Sequence, residues 1–593
     1  MKRIIVLAIV FVGLAAFTAA ILPQFLSTER IRQQIADEIA DLTGRTVALE
    51  GDASLSVYPQ LAVSIGDLTI ANREGMGEDA FITAQGLTTR LRLWPLFLGR
   101  VEFDEFELVR PRIHLVVDAD RRANWLMPKL SGDDAPRLAG LAIGRLKISD
   151  GTIVYDNLVR DQHEEMTGLG LDVAWPRAGA PIGATGTLQW RGETVEFNGF
   201  VAKPLEVAAG GRSPARFAVA ATPLRISFNG TLINLDGPQF SGDGSLTTPS
   251  MRRTIEWLGT RTGSGSILGA GSIKGTAEWS GAVISFADAT VELDGNTAAG
   301  VLSVNFVGER PSIHGALDFA KLDLSPYLDA IRADIIANGP WLTGQTRLPI
   351  ADAIDADLRL SASNVIAGRL RTGNTAVAVT IRQRRITANV GEAQFYGGRL
   401  EGEVTAAMSG GALRSSLRAK VTAVPTRVAL ADLIGIDTLD GSVDASAELS
   451  ARGGVWGELI DGLSGTARIA LSGGSLAGID VKAIGTSLTD LHDETAGAGA
   501  GATAFTSLSG TFAIGGGAFT TDDLAVEGQD YRIAVAGQGS VFSGRIALRA
   551  TLATVDASGR EGTLPLRVSG TLRAPEFALD RERVDNGGGL TGG

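Results

Sequence analysis

The sequence predicts a mostly β protein with short helices and a single N-terminal transmembrane helix. From Thr46 onward, apolar and polar residues alternate with a period of two, as in strands that bury one face. Turn signals separate these stretches at intervals of roughly 8–15 residues, which favours an all-β chain over alternating strands and helices. A single long apolar run precedes this pattern, at the start of the chain.

The apolar run from Ile4 to Leu22 is long enough to cross a bilayer. As a helix, its roughly nineteen residues would rise about 28 Å, close to the hydrocarbon thickness of a membrane. Lys2 and Arg3 precede it, so the positive-inside rule predicts a cytoplasmic N-terminus and a body across the membrane. The side chains expected to form the anchor are Ile4, Leu7, Phe11, Leu14, Phe17 and Leu22.

The alternative is a cleaved signal peptide, whose shorter apolar region would end in small residues before a cleavage site. Small residues that fit this alternative are Ala15, Ala16, Thr18, Ala19 and Ala20. The apolar run resumes with Ile21 and Leu22 after any such site, which favours an uncleaved anchor. Both interpretations place the rest of the chain outside the cytoplasm.

Composition narrows the classes of function. The 593 residues carry a formal net charge of −12, which argues against nucleic acid as a partner because phosphate binding needs clustered Lys and Arg. Cysteine is absent, which excludes disulfides, thiolate chemistry and Cys-ligated zinc. The 76 glycines show no collagen period and therefore indicate many turns.

A helix is predicted directly after the membrane segment. Ser27 or Thr28 can cap its N-terminus, and Gly44 can end it in the left-handed conformation. We expect its apolar face to dock on the end of the sheet rather than on the membrane surface; that face comprises Ile31, Ile35, Ile39 and Leu42. Further short helices are predicted over 251–258, from Ser325, and over 426–434, 455–463 and 481–491.

Two candidate hairpins lie in the alternating region. Asp150-Gly151, between Ile148 and Ile153, is predicted to be the turn of the first hairpin. The second turns at Gln383-Arg384, and its apolar residues share one face: Val377, Val379, Ile381, Ile386, Ala388 and Val390.

Several motifs together point to a family. In the N-terminal region they are Thr43-Gly44-Arg45, Leu68-Thr69-Ile70-Ala71-Asn72, Phe81, Leu93-Trp94-Pro95-Leu96, Pro111 and Asn124-Trp125. Towards the C-terminus they are Asp355-Ala356-Asp357-Leu358-Arg359-Leu360, Tyr396-Gly397-Gly398, Leu463-Ser464-Gly465-Thr466, Leu508-Ser509-Gly510-Thr511 and Pro575-Glu576-Phe577. With these motifs the chain resembles the AsmA family of Gram-negative envelope proteins, relatives of the TamB-like proteins. It departs from the family pattern at Arg382–Arg385, where the usual turn glycine is missing, and over 180–340, where the match is loose.

The resemblance implies a bacterial inner-membrane anchor and a periplasmic body built as a long, curled antiparallel sheet with an apolar groove. It divides the chain into an anchor (1–22), an N-terminal region (23–180), a middle β region (181–340), a C-terminal β region (341–580) and a disordered tail (581–593). It also implies a role in outer-membrane homeostasis, through phospholipid movement and indirect effects on outer-membrane protein assembly.

Alternation by itself favours a closed sandwich core, and the resemblance is what favours a groove. The residues we expect to line it are Val377, Val379, Ile381, Ile386 and Val390. An apolar groove suits acyl chains, since each methylene hidden from water contributes about 0.8 kcal/mol.

Reactive sites are not evident. The histidines His114, His163, His314 and His492 lack metal-ligand spacing, and His163 is predicted to lie in a surface loop. The carboxylates Asp104, Glu105, Glu107, Asp522 and Asp523 are predicted to be solvent-facing strand or turn residues. Trp94 and Trp125 are expected to be packing anchors. We therefore predict no catalytic, cofactor-binding or metal-binding residues, and no enzyme activity.

Two functions remain in competition. The first is a membrane-anchored periplasmic protein that shelters or conducts phospholipid along a β-groove, with the inner membrane and phospholipid as its partners. The second is a scaffold or regulatory factor for outer-membrane protein assembly and targeting, with assembly components as partners and without lipid transport. A third hypothesis is a polysaccharide hydrolase, which would need a site of clustered carboxylates.

Overall fold

The computed structural model describes residues 28–56, 61–77, 79–92, 103–120, 122–125, 144–159, 161–177, 179–235, 237–259, 268–308, 310–330, 346, 348–478, 480–481, 495–497, 501–541, 543–555 and 561–580. The predicted anchor over 1–22 lies outside these residues, as do Trp94, His492 and the predicted tail. Within the described part of the chain, no helix is long and apolar enough to cross a membrane.

The chain is mostly β, as predicted, and the described residues contain 32 strands. They form two compact units: Met1–Trp257 with Ser272–Phe286, and Leu258–Gly271 with Ala287–Gly593. The helices with defined bounds are α1 (Thr28–Thr43), α2 (Pro204–Ala208), α3 (Met251–Trp257), α4 (Pro349–Ala353), α5 (Thr426–Ile434) and α6 (Trp456–Asp461).

The first twelve strands lie in the first unit, and the next two have residues in both units. They are β1 (Val47–Leu49), β2 (Ala53–Ser56), β3 (Ala62–Ile70), β4 (Ile82–Leu91), β5 (Phe103–Val117), β6 (Gly144–Asn157), β7 (Gln162–Trp175), β8 (Ile182–Trp190), β9 (Glu193–Val201), β10 (Arg212–Ala221), β11 (Leu224–Asn234), β12 (Pro238–Thr248), β13 (Gly271–Ser280) and β14 (Val283–Leu293). From β3 to β12 each strand pairs with the next; only the β5–β6 pair is parallel among these.

The remaining strands lie in the second unit. They are β15 (Asn296–Asn305), β16 (Ser312–Phe319), β17 (Leu322–Asp323), β18 (Asp355–Ala362), β19 (Val365–Ala367), β20 (Leu370–Arg382), β21 (Arg385–Phe395), β22 (Gly398–Ser409), β23 (Ala412–Pro425), β24 (Leu439–Gly453), β25 (Ser464–Ala477), β26 (Thr495–Gly497), β27 (Ala502–Gly515), β28 (Ala518–Glu527), β29 (Tyr531–Ser540), β30 (Ile546–Val555), β31 (Glu561–Thr571) and β32 (Ala574–Leu579). They pair mainly antiparallel in chain order. The exceptions are two parallel pairs, β16 with β18 and β17 with β19, and the short strand β26, which pairs with β32.

The predicted first helix is confirmed as α1. Gly44, with φ of 65°, follows its last residue and donates a backbone hydrogen bond to the Ala40 carbonyl, as a left-handed cap requires. Ile35 is 0% exposed, and Ala36 and Ile39 pack against the buried residues of β1, β3, β4 and β5. The helix therefore docks on the end of the sheet, as predicted.

The predicted hairpin turn at Asp150-Gly151 is wrong. Both residues lie inside β6, and the pairing of β6 with β7 shifts register on either side of Gly151. Asp150 has φ of 55°, which Asp tolerates better than most residues. The pair forms a β-bulge, which bends the strand and strengthens its twist without reversing the chain.

The last strands of the second unit enclose a buried core. Along one face, cross-strand neighbours run through Leu471, Leu508, Val526, Ile533, Leu552 and Leu564. All are buried except Ile533, which is half-buried and packs on the others. Packing is close here, since a Cβ on Gly474 would lie 2.5 Å from Cζ of Phe505. We call β25–β32 the C-terminal roll.

Candidate functional site

The predicted groove residues lie on a confirmed hairpin. Strands β20 and β21 meet at Gln383-Arg384, whose φ angles of 51° and 62° replace the glycine-dependent turn of the family. Three cross-strand pairs place the predicted residues on one face: Val377 with Val390, Val379 with Ala388, and Ile381 with Ile386. Ile381 is buried and the other predicted lining residues are half-buried.

The same face continues across neighbouring strands. One row of directly paired residues is Leu358, Val379, Ala388, Val404, Leu417 and Leu449; a second is Leu360, Val377, Val390, Gly402, Ala419 and Ala447. These residues come from β18 and β20–β24, and together we call them the open face. None carries a polar side chain, so the surface offers dispersion and hydrophobic contact only.

The open face is not buried as a protein core would be. Val404, in a strand paired on both sides, is 45% exposed, and the rest of the open face is half-buried. Most outward neighbours of these residues are polar or charged, such as Glu403 and Arg418, which form an ion pair. The sheet therefore keeps the alternation of a core while leaving the apolar side accessible.

A short segment bridges one end of the strands. Thr346 donates from its backbone NH to the Gly454 carbonyl at 3.0 Å and from Oγ1 to the Gly453 carbonyl at 2.9 Å, at the end of β24. The chain then enters α4, where Ala351 is 0% exposed and packs on Ala356 and Ile381 of β18 and β20. We call Thr346 together with residues 348–353 the strap; it contacts β24 on one side of the open face and β18 and β20 on the other.

Ion pairs hold the strap in place. Asp352 of α4 pairs with Arg384 in the β20–β21 turn, with Nε 2.8 Å from Oδ1. Arg310 donates to the Ala351 carbonyl and also pairs with Asp355, with Nη2 2.9 Å from Oδ1. The predicted turn at Gln383-Arg384 thus carries an arginine that positions a neighbouring helix.

Helix α5 bridges the opposite end of the strands. Ala429 packs with Phe395 of β21 and Val424 of β23, and Leu370 and Val443 lie against this cluster. Tyr396 donates a hydrogen bond from Oη to Oδ2 of Asp432 at 2.6 Å. Burial, together with this bond to a carboxylate, raises the pKa of Tyr396 to about 12. The helix predicted over 426–434 therefore has a definite position at the edge of the open face.

The N-terminal motif residues converge at one point in the first unit. Asn124 is fully buried; its Oδ1 accepts from the Val116 NH, and its Nδ2 donates to the His114 carbonyl and to Asn72. Arg45 donates to the Asn124 carbonyl, and its guanidinium lies 4.0 Å from the ring centroid of Phe81. These residues join the end of α1 to β3 and β5, so their role is structural.

Two predictions about polar residues need correction. Glu105 is buried rather than solvent-facing; its carboxylate lies 2.9 Å from Arg90 and 3.2 Å from Lys147. His163 lies in strand β7 rather than in a loop, although it is exposed as predicted. Asp104 and Glu107 face outward beside Arg92 and Ser149.

His114 and His163, far apart in sequence, meet at Asp156. His114 Nε2 lies 2.7 Å and His163 Nδ1 2.6 Å from the two oxygens of that carboxylate. The hydrogen bond that His163 donates to Asp156 raises the pKa of His163. Burial raises the pKa of Asp156, but the hydrogen bonds from the two histidines lower it, and the net pKa of Asp156 is lowered. No group of acidic or histidine side chains suited to a metal ion occurs among the described residues.

Trp125 packs against Tyr155 but remains partly exposed to solvent. Its ring centroid lies 6.1 Å from that of Tyr155, and 37% of the residue is accessible. The predicted carboxylates Asp522 and Asp523 are exposed in β28, where Asp523 accepts a hydrogen bond from the Thr511 NH at 2.7 Å.

Comparison with known proteins identifies the family. The model of the AsmA family matches residues 1–241 and 331–524, which is most of the chain. A search of curated proteins and a search of solved structures each gave no match.

Proposed function

Because this chain belongs to the AsmA family, we propose that it is a cell-envelope protein whose β body shelters phospholipid acyl chains on the open face. In this proposal residues 1–22 anchor it in the bacterial inner membrane, and the body lies in the periplasm. The observation that carries the proposal is an apolar face, continuous over β18 and β20–β24, that stays half-exposed instead of forming a closed core.

The energetics of this surface suit an acyl chain. Covering roughly ten methylenes would offset about 8 kcal/mol of the cost of exposing a lipid tail to water. The strap and α5 lie at opposite ends of the strands, so a chain on the open face would run across the strands between them. Holding a lipid in this way needs no reacting side chain.

Site-specific photo-crosslinking tests the proposal. A photoreactive amino acid at Val379, on the open face, should capture phospholipid in cells, whereas one at Ala378, on the opposite face of the same strand, should not. Equal capture at both positions, or capture at Ala378 alone, would contradict it. Capture of outer-membrane assembly proteins with no lipid bound to the purified chain would favour the scaffold alternative instead.

A further inference from the structure

The open face and the C-terminal roll share strand direction and apolar alternation, but they differ in accessibility. The row of Leu449 continues through half-buried Gly465 and Ile514 to Phe519, which packs against the buried residues of the roll. In β30 and β31 the inward-facing residues are mostly buried, including Leu552 at 3% and Leu566 at 5% exposure. The apolar face thus passes from an accessible surface into a packed core within the roll.

Two further contacts close the roll. The connection between β25 and β27 supplies β26, which pairs with the outer edge of β32 through Thr495 with Ala578 and Gly497 with Glu576. A Cβ on Gly435, just after α5, would lie only 2.9 Å from Nη2 of Arg573 in the β31–β32 turn. The turn between the last two strands therefore lies against the end of α5.

We infer that the groove ends at the C-terminal roll, and that a bound lipid does not pass through the C-terminal end of the sheet. This inference rests on the proposed function. An acyl chain continuing beyond β28 would have to displace residues such as Leu552 and Leu564 from a packed core, and protein cores leave few voids that could hold it. A lipid therefore enters and leaves the open face without opening the roll.

An engineered disulfide across β26 and β32 tests this inference. Thr495 and Ala578 are direct cross-strand partners, and the chain has no cysteine, so Thr495→Cys with Ala578→Cys creates a single possible bridge. The full chain, reconstituted in phosphatidylethanolamine vesicles with a fluorescent phospholipid, would be assayed oxidised and reduced for bound lipid and for transfer to acceptor vesicles. We expect the two forms to agree within about twofold. A tenfold or greater loss on oxidation, restored by reduction, would show that the roll must open and would overturn the inference.

A matched bridge controls for oxidation itself. Thr405 and Ser416 are partners on the outward face of β22 and β23, so Thr405→Cys with Ser416→Cys should change neither bound lipid nor transfer.

Photo-crosslinking gives an independent readout. A benzoyl-phenylalanine at Leu449, on the open face, should capture the fluorescent phospholipid, and one replacing Phe577, in the roll, should not. Capture at Phe577 in a folded variant would overturn the inference. Capture at neither position, with no lipid on the purified chain, would contradict the proposed function itself and so remove the basis of the inference.

Discussion

Strands β20–β24 and strands β27–β32 have the same alternating pattern, yet they build different surfaces. In the first group Val404 lies on an accessible apolar face, and in the second Leu552 lies in a closed core. The difference in burial depends on which segments pack against each apolar face. The strap and α5 bridge only the ends of the open face, whereas the roll packs its own strands against each other and covers its last edge with β26. The alternation of apolar and polar residues therefore specifies an apolar face, but it does not specify whether other segments cover that face.

The largest expected effect is the loss of a core side chain in the roll. Leu566→Ala should lower the free energy of unfolding of the roll by about 2–5 kcal/mol, because it leaves a cavity among packed neighbours. Hydrogen exchange of the β30–β32 amides in urea would measure this change in the free energy of unfolding. The matched change on the open face, Val404→Ala, should cost about 0.5–1 kcal/mol because nearly half of that residue is already exposed. Similar costs at both positions would remove the distinction between the two regions.

The next effect concerns the strap. Thr346→Ala removes the hydroxyl donor to Gly453 in a buried position and should destabilise the strap by about 1–3 kcal/mol. Faster hydrogen exchange in residues 348–354, with β30–β32 unchanged, would report it. Thr346→Ser keeps the hydroxyl and serves as the control; if it behaved like the alanine variant, the hydrogen bond would not be the cause.

A charge on the open face should affect lipid rather than folding. Val404→Asp is expected to reduce co-purified phospholipid about tenfold, which corresponds to about 1.4 kcal/mol, because the carboxylate would have to be desolvated against acyl chains. Its thermal unfolding should match that of the parent closely. Lipid content measured by mass spectrometry would check this, with Glu403→Asp on the outward face as the control. Unchanged lipid would argue against the open face as the binding surface.

The smallest expected effect is at α5. Tyr396→Phe removes the bond to Asp432 and should cost about 0.5–1.5 kcal/mol. The folded pKa of Tyr396, about 12, lies above its ordinary value of 10.0, so the associated stability is fully present below pH 10 and is lost as pH rises through about 12. The free energy of unfolding, measured from pH 9 to 12, should therefore fall less steeply with pH in Tyr396→Phe than in the parent protein. Parallel curves would contradict this role of Tyr396.

Much of the local structure could be predicted because its causes are local. The cap of α1 at Gly44, the turn at Gln383-Arg384 and the helix over 426–434 depend on nearby residues, and all three are present. Asp150-Gly151 shows the limit of this reasoning. The pair has turn chemistry, but the strand pairs on both sides of it, so long-range pairing converted the expected turn into a bulge.

The candidate site shows the same limit on a larger scale. The sequence placed Val377, Val379 and Val390 on one face, but it gave no sign that Thr346 would reach β24 or that Tyr396 would meet Asp432. Those contacts join residues 107 and 36 positions apart, respectively. The meeting of His114 and His163 at Asp156 was missed for the same reason.

By itself the sequence determined the strand-rich fold, the docking helix, the apolar face and the family, because period, caps and motifs are properties of neighbouring residues. The tertiary structure alone decided where that face is open and where it is closed. Exposure depends on how far the sheet curls and on which distant segments cover it. An identical alternation of apolar residues therefore yields an accessible surface at Val404 and a buried core at Leu552.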